Sequence, residues 1–438
     1  MNVSILDFGA IPGAQGLCTE AMQAAIDACA AAGGGRVDIP CGTFRTGTIW
    51  LRSHVELHLC HGAIWKASDN LDDYNDEDAY EQNSSARVSE KWVGKHLLIA
   101  HECEDVALTG TGTIDGSGDA FYSEPLPYSV YVWREGCREA KDVEICRPGQ
   151  LLCFIECRHV CVQDVTLTNQ PCWGCFLHGC EYVQVRGMRS INDHAAFNSD
   201  GIDIDCCRYV TISDCILDTG DDSIAIRGAE ARLKNKPHPC EYITITNCVL
   251  GSSSNAIRLG VGKGLIRHVR ISNITITRAA PAITLMSSYH GKGCVSIEDV
   301  SIMNVSATSC TRGIEILEGA GASIRNIVME NIFIETDGYF VLQSDAPHNV
   351  SDVTLRNLRV ILTDGPKPVT PRDFERKGTV WFRATNIDNL TLDGVDVRDG
   401  NCYLDAWEDG IFSFVDCEGL ILRDVRVNGK LRQSEGSF

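Results

Sequence analysis

The strongest constraint on this chain is that it repeats itself. The segments ECRHVCVQDV, CEYVQVRGM, CRYVTISDC, CEYITITNC, IRHVRISNI, IEDVSIMNV, IRNIVMENI, VSDVTLRNL and IDNLTLDGV share one template: a polar pair, an aliphatic residue, then alternation into Asn or Asp. The first aliphatic residue of each falls at 160, 183, 210, 243, 269, 300, 327, 353 and 390, in steps of 23 to 37 residues. Self-similarity at such steps is the mark of a solenoid, in which each unit buries its apolar face only against its neighbours. Apolar positions recur with period two, which favours strands over helices, and Gly, Asn, Asp and Ser supply the turns. The expected architecture is all-β: a right-handed parallel β-helix.

Further copies begin at Cys103 (CEDVALTGTGTIDG) and Cys417 (CEGLILRDV), so a single β-helix domain is expected over residues 1–438. TEAMQAAIDACAAA, residues 19–32, is alanine-rich with helical spacing and runs into three glycines; it reads as a helix capping the open end of the stack. Residues 69–94, 118–150 and 229–240 are irregular and read as loop insertions beside the body, where they would wall a cleft.

The net charge of -20 opposes binding to nucleic acid or to an anionic membrane. No stretch approaches 18 uninterrupted apolar residues and the first residues carry no basic leader, so the expected location is cytoplasmic. The 22 cysteines then read as reduced thiols. No CxxC finds a second half, which leaves small buried hydrophobes as the reading rather than a zinc site. The oligomeric state is not legible.

A second column aligns within the repeats: Trp173-GCFLH, Asp200-GIDID, Asp222-SIAIR, Asn255-AIRLG, Pro281-AITLM and Arg312-GIEIL. The third and fifth positions face the core, whereas the second, fourth and sixth are expected to face solvent. The second is always Gly, Ser or Ala, as a floor for a ligand would be. Asp200 and Asp222 take the same place in successive coils, about 4.8 Å apart at the backbone, and Asp221 adjoins them. Crowded carboxylates favour one protonated member as a general acid beside an ionised base, the pair that glycoside hydrolysis needs. The competing chemistry of such a cluster is to bind a hard cation such as Ca²⁺.

At these residues the chain resembles the polygalacturonase-type glycoside hydrolases of family 28, especially the exo-acting bacterial branch, which share the pectin-lyase-like solenoid. GGRVDIPCGTFRTGTIWLRSHVELHLCHGAIW, RPGQLLCFIEC, TLTNQPCWGC, NSDGIDID and GDDSIAIRG follow in the family's order. The resemblance implies an inverting hydrolase with Asp221 as general acid, Asp200 and Asp222 holding and deprotonating the water, and no cofactor or metal. Two motifs depart from the family. Its Gly-His-Gly reads Ser254-Asn255-Ala256, and its carboxylate-clamping Arg-Ile-Lys reads Thr284-Leu285-Met286. The chemistry is therefore expected to persist on a terminal sugar that is neutral, released from a small plant glycoside or oligosaccharide. Arg227 and Arg258 either replace the clamp or form ion pairs, Arg258 with Asp203 or Glu315. Trp173 either stacks on a sugar or wedges its turn, and Phe176 and His178 are weaker candidates of the same kind.

Overall fold

The computed structural model describes residues 1–13, 16–76, 78, 93–126, 138, 147–230, 233–234, 238–288, 293–363, 381–400 and 411–431. Most of the three insertions expected from sequence therefore lies outside the described residues. The chain packs as two compact units. The first comprises 1–129, 135–222 and 232–238; the second comprises 130–134, 223–231 and 239–438.

In the first unit each coil contributes three short strands, and each strand pairs in parallel with its counterpart one coil away. Val160 lies opposite Val183, and Val183 opposite Val210, the positions that the repeat template aligns. A second column runs Leu98–His101, Leu152–Ile155, Cys175–His178 and Ile202–Asp205. A third runs Thr113–Asp115, Thr166–Thr168, Arg189–Ile191 and Ile216–Thr219. Alternate side chains such as Val160, Val162, Val183 and Val185 are buried between the columns. The helix forms over Thr19–Ala31 and packs through Met22, Ala25, Ile26 and Cys29 against the first strands, so the expected cap is present.

The second unit uses longer strands: Cys240–Ser252, Gly264–Met286, Val295–Leu317, Ile324–Thr336, Val350–Leu362 and Ile387–Asp399. Its register again follows the template, with Ile243, Val269, Val300, Ile327, Val353 and Leu390 in one row. The fold is the right-handed parallel β-helix expected from the repeat.

The recurrent asparagines have a local cause. Asn247, Asn273, Asn304, Asn331 and Asn357 all take φ between 50° and 57°, a left-handed conformation that asparagine tolerates better than most residues. Each amide then donates to the one before it, from Asn273 to Asn247 at 3.2 Å and from Asn304 to Asn273 at 3.1 Å, and onward through Asn331 and Asn357. The second residue of the polar pair is left-handed too, even where it is Tyr182 or Tyr209. Those two rings stack at 4.8 Å, which offsets part of the strain.

Candidate active site

The three carboxylates converge on the first unit. Asp200, Asp221 and Asp222 each place an oxygen within 4.8 Å of the others. Asp200 and Asp222 are 3% exposed, and Asp221 is half-buried. Backbone pairing explains the stacking. The Gly174 N–H donates to the Asp200 carbonyl at 2.9 Å, and the Gly201 N–H donates to the Asp222 carbonyl at 2.9 Å. Successive coils therefore present residues 173, 200 and 222 one above another.

The turns that carry the carboxylates are tightly specified. Ser199 Oγ donates to the Ala196 carbonyl at 3.0 Å and accepts from the Gly220 N–H at 3.0 Å. A Cβ on Gly220 would lie 2.3 Å from the Ala196 carbonyl oxygen and 2.5 Å from Ser199 Oγ, so only glycine fits there. The Asp221 carboxyl accepts from two backbone donors, the Asn198 N–H at 3.3 Å and the Asp222 N–H at 2.9 Å. Gln170 Nε2 donates to the Asp200 carbonyl at 3.0 Å, and Gln170 Oε1 is held by Ser190 Oγ at 2.9 Å.

The outward positions of the column are not open to solvent as expected. Phe176, His178, Asp203 and Asp205 are all buried. Trp173 is 1% exposed and lies in an apolar cluster with Cys153, Ile155, Cys172 and Phe176, edge-on to the Phe176 ring at 5.4 Å. His178 stacks on Phe176 at 5.6 Å and brings Nδ1 to 3.4 Å from Asp205. Both rings are thus buried among neighbouring side chains. The small second position has a packing cause as well. A Cβ on Gly174 would fall 2.5 Å from Gln170 Oε1 and 2.9 Å from the Gly201 carbonyl oxygen.

Arg227, Asn255 and Arg258 belong to the second unit, where both arginines are buried rather than solvent-facing. In register, Arg258 lies between Ala225 and Thr284. Asn255 Oδ1 accepts from Thr284 Oγ1 at 2.8 Å, and Asn255 Nδ2 donates to Ser254 Oγ at 3.2 Å. The residues at the two departing motifs thus hold each other as an uncharged pair. Glu315, considered as a partner for Arg258, pairs with Arg312 at 3.0 Å.

Sequence reasoning missed Arg147 and Tyr122, both buried in the first unit. Arg147 reaches the Asn198 turn directly, through Nη2 to Asn198 Oδ1 at 2.7 Å. A lone arginine at the foot of the apolar run Leu151-Leu152-Cys153-Phe154-Ile155 was the available signal. All described cysteines are free thiols. Cys153, Cys175 and Cys180 are buried, and desolvation pushes each thiol up. Among the described residues, no helix is long and apolar enough to cross a membrane.

A family model described as glycosyl hydrolases family 28 matches residues 78–242, the stretch that holds all three carboxylates. The exo-poly-alpha-D-galacturonosidase of Dickeya chrysanthemi is 23% identical over 429 residues, covering 90% of this chain and 67% of that protein. A probable polygalacturonase of Vitis vinifera is 26% identical over 234 residues, 52% of this chain and 44% of that protein. The chain thus spans less than half the length of the grapevine relative. Among solved structures, the family 28 exopolygalacturonase of Yersinia enterocolitica superposes with a TM-score of 0.71 at 18% identity, over 99% of this chain and 79% of that one. The exopolygalacturonase of Thermotoga maritima superposes with a TM-score of 0.66 at 25% identity, over 90% and 92%.

Proposed function

We propose that this chain, whose residues 78–242 match the family model of glycosyl hydrolases family 28, is an exo-acting, inverting hydrolase that releases one terminal neutral sugar from a small plant-derived glycoside or oligosaccharide. The observation that carries the chemistry is the convergence of Asp200, Asp221 and Asp222 within 4.8 Å. Asp221, the least buried, protonates the leaving oxygen; Asp200 and Asp222 hold the water and take its proton. The closest oxygens lie nearer together than the roughly 6.5–9.5 Å usual for two carboxyl groups in an inverting pair. Support for inversion is therefore the family and the presence of a third carboxylate, which lets two of them share one water.

Support for a neutral sugar is the uncharged Asn255–Thr284 pair at the positions where the family's motifs carry His and Arg. A second reading has its own support. The named relatives are exopolygalacturonases, and buried Arg258 adjoins Thr284 in register, so galacturonate held by a substitute cation is the alternative. Digalacturonate and 4-nitrophenyl α-L-rhamnopyranoside, assayed side by side, separate the two. Faster turnover of the rhamnoside supports the neutral sugar; release of galacturonate that is lost in Arg258→Ala supports the alternative and overturns the first.

The proposed compartment is the reducing cytoplasm, and the support is a chain of 22 cysteines in which every described one is a free thiol. Disulfides seen on a nonreducing gel of the native protein would contradict it.

A further inference from the structure

We propose that Arg147 is a positioning residue for hydrolysis: it fixes the Asn198 turn and, through that turn, the carboxyl of Asp221. The proposal rests on the assignment of Asp221 as general acid. Arg147 is 0% exposed. Burying a guanidinium costs several kcal/mol unless its donors are satisfied, so its partners show what the charge is used for. Nη1 donates to the carbonyls of Pro171 and Phe197, each at 2.8 Å, and to Tyr122 Oη at 3.0 Å; Nη2 donates to Asn198 Oδ1 at 2.7 Å. The guanidinium also faces the Phe197 ring at 5.3 Å and the Tyr122 ring at 5.5 Å.

These partners belong to two turns of successive coils. Pro171 precedes Trp173 and Gly174, and Phe197 precedes Asn198 and Asp200. Tyr122 Oη lies 2.9 Å and 2.7 Å from the same two carbonyls, which share its one proton. Burial pushes the Tyr122 hydroxyl up, against a smaller lowering by Arg147, so it stays protonated and serves as a donor. Two side chains from outside the repeat therefore clamp the entry to the carboxylate column.

The link to chemistry runs through Asn198. Its φ of 54° is left-handed, its side-chain oxygen is held by Arg147, and its N–H donates to Asp221 Oδ2 at 3.3 Å. The other Asp221 oxygen is held by the N–H of its own neighbour, Asp222. A backbone donor to the acid is thus aimed by a residue 51 positions from Asn198. Lysine cannot substitute: a guanidinium directs donors from two nitrogens in one plane, whereas an ammonium is a single point.

The test uses leaving-group dependence, which a purely structural role would not alter. A 4-nitrophenolate departs with little help from an acid; methanol needs the proton. With the 4-nitrophenyl and methyl glycosides of the sugar that the wild-type enzyme releases, Arg147→Lys and Arg147→Gln should lose about 10²-fold in kcat on the methyl glycoside. KM should stay within about threefold and the nitrophenyl glycoside should lose less than about fivefold, as for loss of an acid rather than of binding. Equal loss on both substrates, loss confined to KM, or no loss would overturn the proposal. Asn198→Gly retains the left-handed backbone and the N–H but removes the oxygen that Arg147 holds; it should show the same pattern, and it decides the matter if the Arg147 variants do not fold. Asp221→Asn, measured alongside, separates the two claims. If it is itself indifferent to the leaving group, the acid assignment fails. If it shows the pattern and the other variants do not, only the role of Arg147 fails.

Discussion

Two of the stacked polar rows among the described residues are held in different ways. In the second unit, Asn247, Asn273, Asn304, Asn331 and Asn357 each carry a donor and an acceptor, so every amide satisfies its neighbour and the row supports itself. In the first unit, Asp200, Asp221 and Asp222 bring three carboxylates within 4.8 Å. Among the described contacts, the Asp221 carboxyl is held by backbone N–H groups, and the turn before Asp200 is held by Arg147 and Tyr122. The two rows look alike in sequence, yet only the second gathers carboxylates in one place.

The largest effect should come from removing one carboxylate's proton. Asp221→Asn is expected to lower kcat on an oligosaccharide by about 10²–10⁴ while the fold stays intact, checked by turnover and by thermal melting. Undiminished turnover would remove Asp221 from the chemistry. The reverse change in the amide row should act only on stability. Asn304→Ala removes two amide hydrogen bonds at a left-handed position, which should cost about 1–3 kcal/mol by denaturant unfolding and leave kcat unchanged. A drop in kcat there would erase the distinction between the rows.

A smaller effect sharpens the same contrast. Relief of like-charge repulsion in Asp222→Asn should stabilise the protein by about 1 kcal/mol even as activity falls, since charges at this spacing repel appreciably in a partly buried site. A lower melting temperature would show that the carboxylates are not strained. The smallest effect concerns a carboxylate that is fully paired. Burial tends to raise the Asp299 carboxyl, but hydrogen bonds from Arg270 and His268, at 2.7 to 2.9 Å, outweigh it and hold the carboxyl below its usual range. A depressed acid stabilises the fold above its unfolded pKa, and that contribution fades as pH falls through the folded value. Below about pH 4 the melting-temperature advantage of the wild-type protein over Asp299→Asn should therefore shrink; a constant difference down to pH 2 would contradict the pairing.

Much of the coil register could be read from sequence because its causes are local. The period-two alternation and the left-handed Asn place Ile243, Val269, Val300, Ile327 and Val353 in the row that the template predicts. The stacking of Asp200 with Asp222 was legible for the same reason. What covers the outer face of a strand is not local, which is why Phe176, His178, Asp203 and Arg258 were expected in solvent and are buried. Arg147 was missed on the same ground: its partners lie 24 to 51 residues away, and no periodicity reports on a side chain that joins separate turns.

The spacing of the carboxylates makes stereochemistry the sharpest measurement. Proton NMR during the first turnovers on a substrate of known anomeric configuration reads the released sugar before it mutarotates. If Asp221 protonates the leaving oxygen while Asp200 and Asp222 deliver water to the opposite face, the first-formed sugar has the inverted configuration. A retained configuration would mean that one of the three attacks the sugar directly, and it would contradict the account.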